Sequence, residues 1–175
     1  RVFVGRAGKI LDSILAASNL PRESVFIANS VRCSDGNPKN KPKKDTIDRC
    51  SYYWKKELLS VRPKVLIALG SIALSATGER GAITSQRGSA RLFEHDGFQC
   101  QLMPTFHPAF LLYGNEGKLP LILSDMHSAR ELLCTEIPEM NIAPYHILHH
   151  DALSYLSMLE SAARFAFDFE TTGLR

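Results

Sequence analysis

The chain has 175 residues, 45% of them hydrophobic and 22% charged, with a net charge of +3; that is enough for one well-buried domain with an appendage. No apolar run approaches the ~20 residues that a bilayer-spanning helix needs, so nothing supports a membrane role. Four cysteines (Cys33, Cys50, Cys100, Cys134) are too few and too scattered for a disulfide framework and point to an intracellular, reducing, cytoplasmic setting.

The chain opens at Arg1-Val2-Phe3-Val4-Gly5 without an initiator Met or an apolar signal core, and reads as a piece of a longer polypeptide. Residues 8–17 place Ile10, Leu11, Ile14 and Leu15 at the spacing of a core-facing helix, which Asn19 and Pro21 end. Val25-Phe26-Ile27-Ala28 is the short apolar run of a buried parallel strand, with Asn29 at its end. The loop over residues 34–44 is rich in Asp, Gly, Asn, Pro and Lys and has nothing to build a core with.

Helical periodicity returns over residues 45–62, with Asp45 available as a cap and Pro63 as a stop. Val65-Leu66-Ile67-Ala68-Leu69 is a second buried strand, Gly70 a tight turn, and 71–77 a short helix ended by Gly78. Residues 91–94 and 99–103 flank Asp96-Gly97, the dipeptide of two-residue hairpin turns. The second of these strands is expected to stop at Pro104. Residues 119–133 form a last amphipathic helix. Strands alternating with helices predict an α/β fold, a three-layer α/β/α sandwich around a mainly parallel sheet with a hairpin-like insertion.

Charge is unevenly spread. Between residues 38 and 64 nine Lys/Arg oppose three acids, whereas from residue 131 onward seven acids oppose two arginines. The first half therefore suits a polyanion, and a different unit follows it; the plainer alternative is that Lys39, Lys41, Lys43 and Lys44 are a solvated loop.

Met103-Pro104-Thr105-Phe106-His107-Pro108 is the stretch most suggestive of chemistry. Pro108 biases His107 away from helical dihedrals and is well suited to open a helix itself, so the imidazole sits where a strand gives way to a helix. In α/β proteins ligands bind at such strand ends. Asn29, Gly70 and His107 each follow a predicted strand and can line one crevice; an Asn amide offers the donor and acceptor needed to read the edge of a base. Taken singly, either residue also suits a purely structural loop role.

These blocks carry a resemblance. Phe3-Val4-Gly5-Arg6-Ala7-Gly8-Lys9-Ile10-Leu11, Ile27-Ala28-Asn29-Ser30-Val31-Arg32-Cys33, the strand-and-glycine turn after Val65, Ile83-Thr84-Ser85-Gln86-Arg87-Gly88, and Pro104-Thr105-Phe106-His107-Pro108-Ala109-Phe110-Leu111-Leu112 resemble, in order, segments of the family-4 (iron–sulfur) uracil-DNA glycosylases. The resemblance runs from residue 1 to about 134, and five blocks in register make it specific. It implies an enzyme that flips uracil out of DNA and hydrolyses its N-glycosidic bond. Phe3 would stack on the uracil, Asn29 would bond its polar edge and discriminate it from cytosine, and His107 would stabilise the charge growing on uracil O2. Cys33 and Cys50, separated by 16 residues, would be two of the four thiolates of a 4Fe–4S cluster. Lys39, Lys41, Lys43, Lys44 and Arg87 would touch DNA phosphates. The family's first motif, a Gly-Glu-Ala-Pro-Gly-like loop, is expected upstream of Phe3. Cys100 and Cys134 fall outside the pattern and are expected to be buried thiols.

The tail is read as a second domain. Residues 1–136 form the glycosylase-like unit, 137–144 a linker, and 145–175 the beginning of another domain. Phe167-Asp168-Phe169-Glu170-Thr171-Thr172-Gly173-Leu174 resembles the first motif of the 3′–5′ proofreading exonuclease of family-A DNA polymerases. That implies an incomplete ribonuclease H-like domain whose Asp168 and Glu170 would hold Mg2+ or Mn2+, with polymerase and exonuclease domains downstream, as in bacteriophage polymerases. The rival functional reading is a catalytically inactive DNA-binding or uracil-sensing clamp on such a polymerase; a purely structural iron–sulfur scaffold is a third.

Overall fold

The computed structural model describes residues 2–32 and 41–134, which fall within one unit, Arg1–Pro138. The linker and exonuclease-like segment, with Asp168 and Glu170, lie outside the described residues, as do Cys33 and Lys39.

Helix α1 (Arg6–Ala17) buries Leu11, Ile14 and Leu15, the predicted stripe. A 3-10 turn, Arg22–Ser24, follows. Helix α2 (Lys44–Val61) buries Ile47, Cys50, Trp54 and Leu58 on one face. It ends at Arg62 in the left-handed conformation (φ 47°) just before Pro63. Strand β1 (Val65–Leu69) runs directly into α3 (Gly70–Ala76). After the short α4 (Ile83–Gln86), β2 (Arg91–His95) and β3 (Phe98–Thr105) form the expected hairpin. Its turn residues Asp96 and Gly97 both have positive φ, 47° and 71°, the geometry that matches the twist of paired strands. A 3-10 segment, Pro108–Tyr113, a 3-10 turn, Glu116–Lys118, and α5 (Leu119–Leu132) complete the described chain.

The sheet has the order β1-β3-β2, with β1 parallel and β2 antiparallel to β3. It is therefore a small mixed sheet, not a mainly parallel one. The hairpin is no insertion, because its second strand is the sheet's centre. Side-chain alternation along β1 builds the layers. Ala68 and Leu66 face a core with Ile47, Trp54 and Leu58 of α2 and Phe93, Cys100 and Leu102 of the hairpin. Ile67 and Leu69 face the opposite core of Leu11, Ile14, Phe106, Ile122 and Met126. Helices α2 and α3 thus cover one face, and α1 and α5 the other.

Two further expectations fail. Residues 25–28 form no strand: Val25 is extended (φ −118°, ψ 136°) and packs with Ile27 toward the α1 side, but among the described residues β1 pairs only with β3. An apolar run supplies a strand's side chains, not its ladder partner, and without one Phe26 stays 60% exposed. Strand β3 also continues through Pro104 to Thr105. The Gln101 amide donates to the Lys64 carbonyl beside β1, so by alternation the Pro104 nitrogen faces the other way. On that side β2 has already ended at Arg91, opposite Leu102. A missing N–H is tolerated there as on a sheet edge.

Candidate active site

His107 follows the end of β3 and caps the 3-10 segment, with extended dihedrals (φ −70°, ψ 136°) and Pro108 in the first turn. Its Nδ1 accepts a hydrogen bond from the Ala109 amide at 3.1 Å. An amide can only donate, so Nδ1 carries no proton and the ring's hydrogen sits on Nε2. Burial lowers the imidazole pKa below its ordinary 6.5, because a half-desolvated ring resists charging. At neutral pH the chain therefore holds a neutral imidazole whose one N–H is Nε2.

Neighbouring strand ends shape the space around it. Thr105 pairs with Leu69, so the first residue after β1, Gly70, comes up against His107. Gly70 has φ 84°, and a Cβ there would lie 2.8 Å from the His107 Cβ. Only glycine satisfies both conditions without strain. On the other side Phe3 stacks on the imidazole, centroids 5.4 Å apart and planes at 27°. Phe3 itself has a positive φ of 57°, and its carbonyl lies where a Cβ on Gly8 would sit, at 1.7 Å. Arg22 anchors this segment, donating to the Val2 carbonyl at 2.9 Å and to Asp12 at 2.6 Å.

Asn29 is exposed on the wall of a cleft of about 330 Å³, with Val2, Ile27, Ala28, Arg32 and Glu57. Arg32 and Glu57 form an ion pair on that wall. No hydrogen bond or ring contact joins Asn29 to His107 among the described residues; what connects the cleft to the imidazole is the dipeptide Val2-Phe3, one residue on each.

Arg87, expected on phosphate, is turned inward. It makes a two-pronged ion pair with Asp125, through Nε at 2.9 Å and through Nη2. Nη2 also donates to the Leu121 carbonyl at 2.8 Å, and the guanidinium lies 5.7 Å from the Phe106 ring centre. Lys41, Lys43 and Lys44 are exposed at and just before the start of α2, open to solvent and to a polyanion.

Cys50 is buried (1% exposed) on the inward face of α2. Among the described residues no group of three or more His, Cys, Asp or Glu side chains is arranged to hold a metal. Those residues alone do not make a cluster site. Cys100 is buried as expected, its thiol pushed up to about 11 by burial, which leaves it inert. Cys134 is exposed, contrary to expectation, because it follows the end of α5.

Sequence reasoning missed Thr105 and Asp125. Asp125 is 2% exposed and accepts from the Thr105 hydroxyl at 2.6 Å. One signal was available: Asp125 falls at i+3 from Ile122 and i−4 from Ala129, inside the apolar stripe of α5, where an unpaired acid is too costly to bury.

Residues 1–127 match the sequence model of the uracil DNA glycosylase superfamily. Among curated proteins the chain is 33% identical over 139 residues to a type-4 uracil-DNA glycosylase of Thermotoga maritima, covering 78% of this chain and 70% of that protein. It is 33% identical over 141 residues to one of Sulfurisphaera tokodaii (77% and 63%) and 32% identical over 140 residues to one of Saccharolobus solfataricus (77% and 64%). The chain thus spans less than two thirds of the length of the latter two relatives.

Proposed function

The chain belongs to the uracil-DNA glycosylase superfamily, and from that premise we propose that it is the uracil-excising module of a DNA-repair enzyme, hydrolysing the bond between N1 of a flipped-out uracil and its deoxyribose. The observation that carries the reading is His107, a neutral imidazole fixed at a strand end with its hydrogen on Nε2. As the glycosidic bond breaks, its electron pair goes to uracil and negative charge develops on O2. Water adds its hydroxyl to the sugar carbon, and the proton it releases ends, through solvent, on the departed uracil anion. A fixed Nε2–H donor at O2 stabilises that charge without having to give up a proton. The exposed amide of Asn29 bonds the uracil edge, accepting from N3–H and donating to O4, an arrangement that cytosine does not match. Phe3 stacks on the base once the base replaces, or lies beyond, its contact with the imidazole. Lys39, Lys41, Lys43 and Lys44 follow the phosphates, single- or double-stranded, in a manner independent of sequence.

Excision from a uracil-containing oligonucleotide by the full chain, followed by alkaline cleavage, tests this. His107→Ala is expected to lower the single-turnover rate by ~10²–10³-fold, the usual effect of losing one anion-stabilising donor. Equal rates for the two proteins would refute the assignment.

The remaining parts of the proposal stand on sequence alone. Cys33 and Cys50 supply two thiolates of a 4Fe–4S cluster, which predicts visible absorbance lost in Cys33→Ser. The eight residues Phe167 to Leu174 begin a 3′–5′ exonuclease that takes Mg2+ or Mn2+ through Asp168 and Glu170, in a cytoplasmic phage-type polymerase. The rival reading, an inactive uracil-sensing clamp, draws support from Phe3, whose ring covers one face of His107. Tight binding of uracil-containing DNA with no abasic product would favour it.

A further inference from the structure

Asp125 is a carboxylate almost wholly withdrawn from water, on the apolar face of α5 between Ile122 and Ala129. Burying an ion pair rarely stabilises a fold more than a well-packed apolar residue does, so this arrangement calls for another reason. Its contacts supply one. Oδ2 accepts from the Thr105 hydroxyl at 2.6 Å and from Arg87 Nε at 2.9 Å, while Oδ1 takes Arg87 Nη2. Gly88 comes so close that a Cβ would lie 2.8 Å from Oδ1, and its amide donates to the Pro104 carbonyl at 3.0 Å. The Arg87 guanidinium lies against the Phe106 ring, which stacks in turn on Phe110 at 5.1 Å. Every one of these contacts lands on Pro104, Thr105 or Phe106, the three residues leading into His107, or on what packs against them.

We propose that Asp125, with Arg87 and Thr105, is the positioning network for His107, tying α5 and the segment after α4 to the last turn of backbone before the imidazole. The proposal rests on the glycosylase reading of His107. It gives Arg87 an internal role instead of a phosphate contact, and it brings in Asp125 and Thr105, to which the family resemblance assigned nothing.

Removing Asp125 outright would leave the Arg87 charge unpaired and endanger folding, so the sharper probe is Thr105→Val, which keeps the shape and deletes one hydroxyl. In the full chain, Thr105→Val is expected to slow single-turnover excision of uracil by about 10- to 100-fold, the scale of a small misplacement of a reacting group. DNA affinity should stay within about twofold, and Thr105→Ser should restore the rate. In a His107→Gln background the same change should do nothing further, since its effect passes through the imidazole. Arg87→Gln, which removes the charge but keeps an amide donor for Asp125, should lower the rate yet leave the salt dependence of DNA binding unaltered, whereas loss of a phosphate contact would reduce the slope by about 1. An equal loss from Thr105→Val with and without His107, or a reduced salt slope in Arg87→Gln, would overturn the proposal. If wild-type protein excises no uracil, the glycosylase reading fails separately. The network is then judged by the ¹⁵N shifts of the His107 ring: unchanged shifts in Thr105→Val refute it, and loss of the unprotonated Nδ1 signature supports it.

Discussion

Two segments that look alike as sequence end up in opposite physical states. Each is a short apolar run followed by a polar residue, Asn29 in one and His107 in the other. The run before His107 becomes the central strand of the sheet, and the imidazole is held by a capping hydrogen bond, a glycine too close for any other residue, and a stacked ring. The run before Asn29 joins no ladder among the described residues, and its amide stands in solvent on a cleft wall. Electrostatic stabilisation of a leaving anion depends on a donor that does not reorganise during the reaction, whereas reading a base edge can await the base. The difference matches the difference between the tasks proposed for the two residues.

The largest effect should come from breaking the rigid side. Gly70→Ala places a methyl 2.8 Å from the His107 Cβ and forces alanine to φ 84°. The strained dihedral alone costs about 1–3 kcal/mol, and the displaced imidazole should lower excision by about 100-fold. Thermal unfolding and single-turnover rates measured on the same samples check both. A stable Gly70→Ala protein with full activity would mean that the turn does not preorganise the imidazole.

Next in size is the loose side. Asn29→Ala should leave stability within ~0.5 kcal/mol, as for other exposed sites. It should nonetheless weaken the preference for uracil over cytosine by ~1–3 kcal/mol, the scale of a two-point contact to a base edge. Competition between uracil- and cytosine-containing oligonucleotides measures it. Marked destabilisation by Asn29→Ala would show that the two regions are not so different after all.

The same contrast explains what could be read from the sequence. Strand β1 was legible to the residue because five consecutive apolar side chains leave no other option between a proline and a glycine. The hairpin was legible because Asp96-Gly97 admits one turn geometry. Ladder partners are another matter: nothing in Val25-Phe26-Ile27-Ala28 itself says whether a neighbouring strand lies beside it. Pro104 misled for a related reason, since whether a missing N–H matters depends on where β2 stops. At the site, His107 was visible from its two flanking prolines. Asp125 was not, because its meaning lies in partners 20 and 38 residues away. Arg87 was assigned to DNA through the resemblance of its block, and a motif does not reveal which way a guanidinium points.

The smallest effect sharpens the protonation state on which the rigid side depends. Burial holds the folded His107 pKa below 6.5, while in the unfolded chain it returns to about 6.5. Between those two values the unfolded state binds more protons, so stability rises with pH through that window, is complete above it, and is lost as pH falls. Activity should follow the same sense. Protonating Nδ1 sets its new N–H against the Ala109 amide that now donates to it at 3.1 Å, which breaks the cap and turns the ring. Excision is thus expected to be flat from pH 7 upward, with an acid limb centred below 6.5, and the limb should vanish from the residual activity of His107→Gln. An acid limb that persists unchanged in His107→Gln would assign it to another group and remove the neutral imidazole from the mechanism.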